Sequence, residues 1–202
     1  EFKIVKNAEL KIQNLRKKYG LPEKFALYVG DITWNKNLPR LIEAVKIANV
    51  PLVMVGSALV KQDVDVSNPW NKDFNKVLKL VDGDKSITRL GFVSGEELVL
   101  LYNIATVFVM PSIYEGFGLP ILEAMKCGCP VVTSKEGSLQ EIAGDAAYFV
   151  DAYNVDSIAQ GISEVFNNKN LQQELSKKGL IQSKKFTWRK TAEKTLESYE
   201  LY

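Results

Sequence analysis

Histidine is absent from all 202 residues. Ser-His-Asp and Cys-His machinery is therefore excluded, and so is the commonest general base, which leaves any acid–base chemistry to carboxylates or lysines. Cysteine is scarce. Cys127 and Cys129 flank a single glycine, a separation that makes a mutual disulfide geometrically awkward, and no histidine stands by to complete a metal site. Both are expected to be small buried residues in a reducing compartment, which points to the cytoplasm. No stretch approaches the ~18–20 apolar residues of a membrane span, and the charged, helix-patterned N-terminus does not read as a signal peptide. An excess of one charge is missing too. There are 26 Lys and Arg against 24 Asp and Glu, a net +2, with the signs interspersed, so no broad footprint for nucleic acid exists. Residues 183–190, with Lys184, Lys185, Arg189 and Lys190, come nearest to a basic patch. They read as a solvated face, or as a contact for a partner or a membrane surface.

What is present is an ordinary globular composition, 46% hydrophobic and 25% charged, enough for one domain with a real core. Apolar runs ending at glycine or a polar turn predict strands over 25–30, 52–56, 87–92, 106–110, 130–133 and 147–150. Helical periods predict helices over 38–47, 72–80, 95–103, 154–166, 171–186 and 188–200, the last with Thr187 as its N-cap. The first twenty residues read as one amphipathic helix. Near-continuous apolar strands alternating with helices predict an α/β fold, a Rossmann-like open parallel sheet with helices on both faces. Ligands in such folds sit at the carboxyl ends of the strands, so the loops after Val29, Val55, Phe92, Met110 and Thr133 are the places to search.

One of these loops is unusual: Pro111-Ser112-Ile113-Tyr114-Glu115-Gly116-Phe117-Gly118-Leu119-Pro120-Ile121-Leu122-Glu123. Gly116 and Gly118 permit unusual dihedrals and close approach of a ligand, and Pro120 suits the first turn of a following helix. Free N–H groups at that helix start, with the dipole behind them, favour an anion such as phosphate. Glu115 and Glu123 bracket the segment, eight positions apart. A carboxylate accepts two hydrogen bonds at once, which suits the vicinal diol of a ribose or another polyol. Acidic residues near a helix N-terminus also favour the helix for its own sake, but the pair, the glycines and the strand context together fit a nucleotide-sugar.

With these residues the chain resembles the C-terminal domain of the retaining, nucleotide-sugar-dependent group-1 glycosyltransferases of the GT-B fold. The resemblance covers nearly the whole chain. It runs through Tyr28-Val29-Gly30, Asn35-Lys36-Asn37, Leu90-Gly91-Phe92-Val93, the Glu-x7-Glu string at Glu115 and Glu123, Ala124-Met125-Lys126-Cys127-Gly128, Glu141-Ile142 and Phe186-Thr187-Trp188. It implies a catalytic pair, with Glu115 on the donor-sugar hydroxyls and Lys36 neutralising the diphosphate as it leaves, without a metal or other cofactor. It implies that the backbone of Gly116, Phe117, Gly118 and Leu119 meets sugar and diphosphate, and that Glu123 binds the ribose. Gly30 would admit a close approach, and Phe92 and Val93 would bound the base. The donor would be GDP-mannose or a UDP-sugar. The chain as a whole, residues 1–202, would then be a donor-binding half, with the acceptor site on a facing N-terminal domain of the same enzyme or a partner chain. The helix over 188–200 would pack toward that domain. Self-association through stranded apolar surface and peripheral membrane association of the full enzyme belong to the same expectation.

Two positions depart from the family's pattern. Many relatives carry an arginine directly after the glycine or just before the lysine of the first loop, where this chain has Asp31 and Asn35. Arg89 is a candidate to compensate, and Trp34 is either a lid or a packing residue. The competing readings are a non-catalytic nucleotide-sugar-binding module and a sugar-nucleotide isomerase of similar architecture. A dehydrogenase would need Gly-x-Gly-x-x-Gly, whereas the loop reads Gly30-Asp31-Ile32-Thr33-Trp34-Asn35. Asp63-Val64-Asp65 and Asp82-Gly83-Asp84 match a metal-binding Asp-x-Asp string, but neither follows a strong strand.

Overall fold

The computed structural model describes residues 2–61, 64–65 and 67–200. Six strands form one parallel sheet: β1 (Ala26–Val29), β2 (Leu52–Val55), β3 (Ile87–Leu90), β4 (Val107–Met110), β5 (Val131–Ser134) and β6 (Tyr148–Val150). Their order is β3-β2-β1-β4-β5-β6, the doubly wound arrangement in which the chain works outward to one edge, returns to the centre and works outward to the other.

The helices are α1 (Glu9–Tyr19), α2 (Leu38–Ile47), α3 (Phe74–Val81), α4 (Gly95–Ile104), α5 (Leu119–Lys126), α6 (Leu139–Ala143), α7 (Val155–Asn167), α8 (Lys169–Ser183) and α9 (Trp188–Glu200). Side chains alternate along each strand, and the two faces build two cores. Tyr28, Met54 and Val109 meet Leu41 and Ile42 of α2, Val77 of α3 and Ile162 of α7. Leu27, Val53 and Phe108 meet Leu101 and Tyr102 of α4, Met125 of α5 and Ile142 of α6. Burial on both faces is why the central strands β1, β2 and β4 are almost wholly apolar, whereas Thr88 and Arg89 appear on the edge strand β3 and Thr133 and Ser134 on β5.

Local chemistry fixes several boundaries. Ser94 and Glu97 form a reciprocal capping box at the start of α4, which satisfies two backbone donors at once. The Asn154 side chain accepts from the Asp156 and Ser157 amides ahead of α7, and Thr187 Oγ1 accepts from Lys190 N ahead of α9. The N-terminus departs from expectation. Only Glu9–Tyr19 is helical, because Asn7 turns to φ 54° and the segment before it lies against α4. There Val5 N donates to Asn103 Oδ1 at 2.9 Å, Asn103 Nδ2 donates to Lys3 O at 3.0 Å, and Phe2 meets Tyr102 edge-on. Among the described residues no helix is long and apolar enough to cross a membrane.

Candidate functional site

β1 and β4 are neighbours at the centre of the sheet, yet the chain leaves them toward opposite edges. Their following loops diverge and open a crevice at the carboxyl ends. Residues 30–37 and 111–118 fill its two sides.

The first loop carries a short 3-10 turn, Trp34–Lys36, that ends on Asn37 at φ 60°. Asparagine tolerates this left-handed conformation better than most side chains. Its buried amide donates to Pro111 O at 2.9 Å and to Ala152 O at 2.6 Å. Two residues earlier, Ile113 N donates to Asn35 O at 2.8 Å and Asn35 Nδ2 donates to Tyr114 O at 3.0 Å. The two loops are thus sewn together across the crevice. The seam delivers Lys36 to Glu115, with Nζ 2.8 Å from Oε1 and 3.1 Å from Oε2. The pair is mostly withdrawn from water, at 19% and 10% side-chain exposure. Gly30 is needed behind it. A Cβ there would fall 2.7 Å from the Tyr28 hydroxyl oxygen and 3.7 Å from Lys36 Cε.

The Glu115 loop is held from below as well. Ser138 Oγ lies 3.1 Å from Glu115 O and 2.7 Å from Phe117 O, and Ser134 Oγ donates to Ser112 O at 2.6 Å. Gly118 takes φ 101° and starts α5, a conformation that favours glycine. Gly116 needs no left-handed backbone, and a Cβ there would meet only open space. Leu119 and Phe117 stand partly in solvent, the latter edge-on to Phe186. No side-chain hydrogen bond caps the first turn of α5, which leaves its first amides and the positive end of the helix dipole without a side-chain partner.

Glu123 lies one turn into α5, on the flank toward α4, and takes no part in the Lys36–Glu115 contact. The Tyr102 hydroxyl, fully buried, donates to its Oε2 at 3.0 Å. Burial raises the Glu123 carboxyl above its ordinary value, and the Tyr102 hydrogen bond and nearby Lys126 draw it partly back. On the same flank, Phe92 projects from the loop between β3 and α4 at 85% exposure, while Val93 beside it is buried. Of the predicted residues, Gly30, Lys36, Glu115, Gly116, Phe117, Gly118 and Leu119 line one crevice. Glu123, Phe92 and Val93 form a second group on the α4 side.

The departures in the first loop have other occupations. Asp31 Oδ1 accepts from Ala58 N at 3.1 Å, and Arg89 Nη1 donates to Leu59 O at 3.2 Å. Both serve the 3-10 turn Ser57–Val60, so the Arg89 hydrogen bond goes to that turn rather than to the charged pair. Cys127 and Cys129 are free and buried; burial pushes the Cys127 thiol up to about 11 and Cys129 further, so neither is a poised nucleophile. Of the Asp-x-Asp strings, Asp63 lies outside the described residues. Asp65 is engaged with Ser67, and Asp84 with Ser86 and Lys46 ahead of β3. Among the described residues no group of three or more His, Cys, Asp or Glu side chains is placed to hold a metal ion. Asn35, Asn37, Ser138 and Tyr102 hold the site through hydrogen bonds that the sequence reading did not assign to them.

Comparison with known proteins bears on the family and the fold. The family model for "Glycosyl transferases group 1" matches residues 11–182. The O-antigen chain mannosyltransferase B of Escherichia coli is 36% identical over 183 residues, 88% of this chain and 46% of that protein. Sucrose-phosphate synthase from Thermosynechococcus elongatus superposes with a TM-score of 0.76 at 27% identity, covering 99% of this chain and 49% of that one. Anabaena HepE in complex with UDP-glucose has the same fold, with a TM-score of 0.78 at 20% identity over 100% of this chain and 54% of its own. The chain thus spans about half the length of each of these three proteins.

Proposed function

Because the chain belongs to the group 1 glycosyl transferases, we propose that it is the donor-binding half of a retaining, metal-independent hexosyltransferase. The observation that carries this reading is the Lys36–Glu115 pair, held at 2.8 Å at the switch point of the sheet and beside the uncapped start of α5. A nucleoside diphosphate laid across that start would put its phosphates on the amides of residues 116–119 and within reach of Lys36. As the glycosidic bond breaks, the lysine charge would stabilise the diphosphate that departs with the electron pair, work that a divalent cation does in other transferases. Glu115, freed in part from Lys36, would accept from the sugar hydroxyls. Toward α4, Glu123 would accept from the ribose diol with its second oxygen, while Tyr102 holds the first. Phe92 and Val93 would bound the base.

The E. coli relative is named a mannosyltransferase and Anabaena HepE is seen in complex with UDP-glucose, which supports GDP-mannose or a UDP-sugar as the donor of this chain. The acceptor site would lie on a facing N-terminal domain, of the same enzyme or a partner chain, at the cytoplasmic side of a membrane. Alone, this half would bind donor and transfer poorly.

Calorimetric titration with UDP, GDP, ADP and their sugar conjugates, with and without EDTA, tests the reading. Selective, EDTA-insensitive binding of one nucleotide is expected. Glu123→Ala should weaken nucleotide binding, and Glu115→Ala should abolish the preference for the sugar conjugate over the bare nucleotide. Absence of binding by a folded chain, or full activity restored only by a metal, would sink it.

A further inference from the structure

Tyr102 of α4 joins three other elements. Its hydroxyl donates to Glu123 of α5. Its ring meets Phe108 of β4 edge-on, with centroids 5.5 Å apart at 66°, and meets Phe2 the same way, 5.9 Å apart at 75°. Both are favoured aromatic geometries. Phe108 is fixed by the sheet. Phe2 belongs to the segment ahead of α1, where residues 2–6 are neither helix nor strand. Something outside that segment must hold it.

Asn103 does so. Its Oδ1 accepts from Val5 N at 2.9 Å and its Nδ2 donates to Lys3 O at 3.0 Å. One side chain thus satisfies the backbone groups on either side of Ile4. Nδ2 also donates to Val99 O at 2.8 Å, one turn back in α4, which sets the orientation of the amide. Ile4 reaches the end of α5, since a Cβ on Gly128 would fall 3.3 Å from its Cδ1. The segment therefore lies across both helices that carry the Tyr102–Glu123 hydrogen bond. That bond decides which way the half-buried Glu123 carboxylate points, because a ribose diol can take only the oxygen that Tyr102 leaves free. A Tyr102 ring without Phe2 beside it is free to swing its hydroxyl away and let water reach the carboxylate.

We propose that Asn103 and Phe2 are positioning residues of the nucleotide site, acting through Tyr102 to aim Glu123 at the ribose diol. The role of Glu123 toward ribose rests on the donor-site reading above; the dependence of Glu123 on the segment ahead of α1 does not.

Calorimetric titration of the 202-residue chain with UDP, GDP and their 2′-deoxy forms reads the ribose contact directly. The parent should bind the ribose form about tenfold more tightly than the 2′-deoxy form. Asn103→Ala and Phe2→Ala should each lose most of that preference while binding the 2′-deoxy form as the parent does, a pattern that general loosening of the fold does not produce. Phe2→Leu, which keeps an apolar cover, should fall between. Tyr102→Phe should lose the preference as well, and Phe2→Ala added to it should change nothing further. Retention of the parent's preference in Asn103→Ala or Phe2→Ala overturns the proposal, and so does additive loss in the double variant.

Carbon NMR of the Glu123 carboxyl gives a second measurement, without nucleotide. Burial is the larger influence on this group, so Asn103→Ala and Phe2→Ala should shift its titration down toward the ordinary carboxylate range. An unmoved titration overturns the proposal. The two measurements also separate it from the donor reading. A folded parent that binds neither UDP nor GDP, with variants that show the shifted titration, sinks the donor site and leaves the link from Phe2 through Tyr102 to Glu123. Nucleotide binding with an intact ribose preference in the variants sinks the positioning role alone.

Discussion

Lys36 and Glu115 place opposite charges in contact where little water reaches them. Their attraction exceeds that of a surface pair, but part of it is spent on lost hydration. Removing one partner is therefore worse than removing both. Lys36→Ala is expected to cost about 2 kcal/mol by stranding the carboxylate, and the double variant Lys36→Ala/Glu115→Ala should fall short of the sum by about 1–2 kcal/mol. Denaturant unfolding of the four proteins measures the coupling, and additive losses would show that the contact is not energetically real. Glu123 obeys the opposite logic. Its carboxyl is raised by burial, so the folded chain holds a proton more tightly than the unfolded one. Stability then falls as pH rises from the unfolded value through the folded value, and the penalty persists at neutrality. Glu123→Gln keeps an acceptor for Tyr102 and cannot ionise. It should be more stable than the parent at pH 7, with an advantage that vanishes at acid pH, while binding nucleotide more weakly. A parent that is the more stable at pH 7 would contradict the burial argument. Such a cost is expected of a group retained for a ligand.

At the scale of elements, α7 shows which force wins where two conflict. Gly161 lies inside this helix, where alanine would be better by about 1 kcal/mol on propensity. A Cβ there would fall 2.4 Å from Val150 Cγ1 and 3.1 Å from the Tyr148 ring, well inside the ~3.5–4.0 Å of a normal carbon contact. Gly161→Ala should therefore destabilise by about 1–3 kcal/mol, and Val150→Ala in the same chain should recover part of the loss; a rise in Tm for the single variant would mean that α7 is not seated this closely on β6. The same competition explains what could be read beforehand. α2 was legible over its full span, 38–47, because Pro39 sits in its first turn and Leu41, Ile42 and Val45 share one face. α6 is five residues long, too short for a 3.6-residue period to show. The opening segment has helical spacing, yet a tertiary contact with Asn103 draws it out. In the site, Glu115, Gly118 and Glu123 were legible because one loop and one helix carry them. Asn37 was not, because its work is done on the Ala152 carbonyl 115 residues away, and Tyr102 reads as core until its hydroxyl is seen on Glu123.

For the whole molecule, the telling feature is α9. Trp188, Ala192, Leu196 and Tyr199 recur at helical spacing and all are exposed, Trp188 at 79%. A stripe of that kind marks a face meant for cover, and a lone helix of this length is marginal in water without it. Among the described residues neither core includes a member of α9, and the packing of Phe186 on Phe117 ends just before it. The proposed N-terminal domain would supply the cover, and until it does, the stripe is free to pair with its counterpart on another copy. Ending the chain after residue 186 should accordingly shift the thermal midpoint by no more than about 2 °C, while abolishing both concentration-dependent association and any activity recovered by adding the N-terminal half. Leu196→Asp in the full chain should reproduce those two losses without truncation. A fall in midpoint of about 5 °C or more on truncation would instead make α9 part of this domain's own fold. Unchanged association in Leu196→Asp would move the docking face elsewhere.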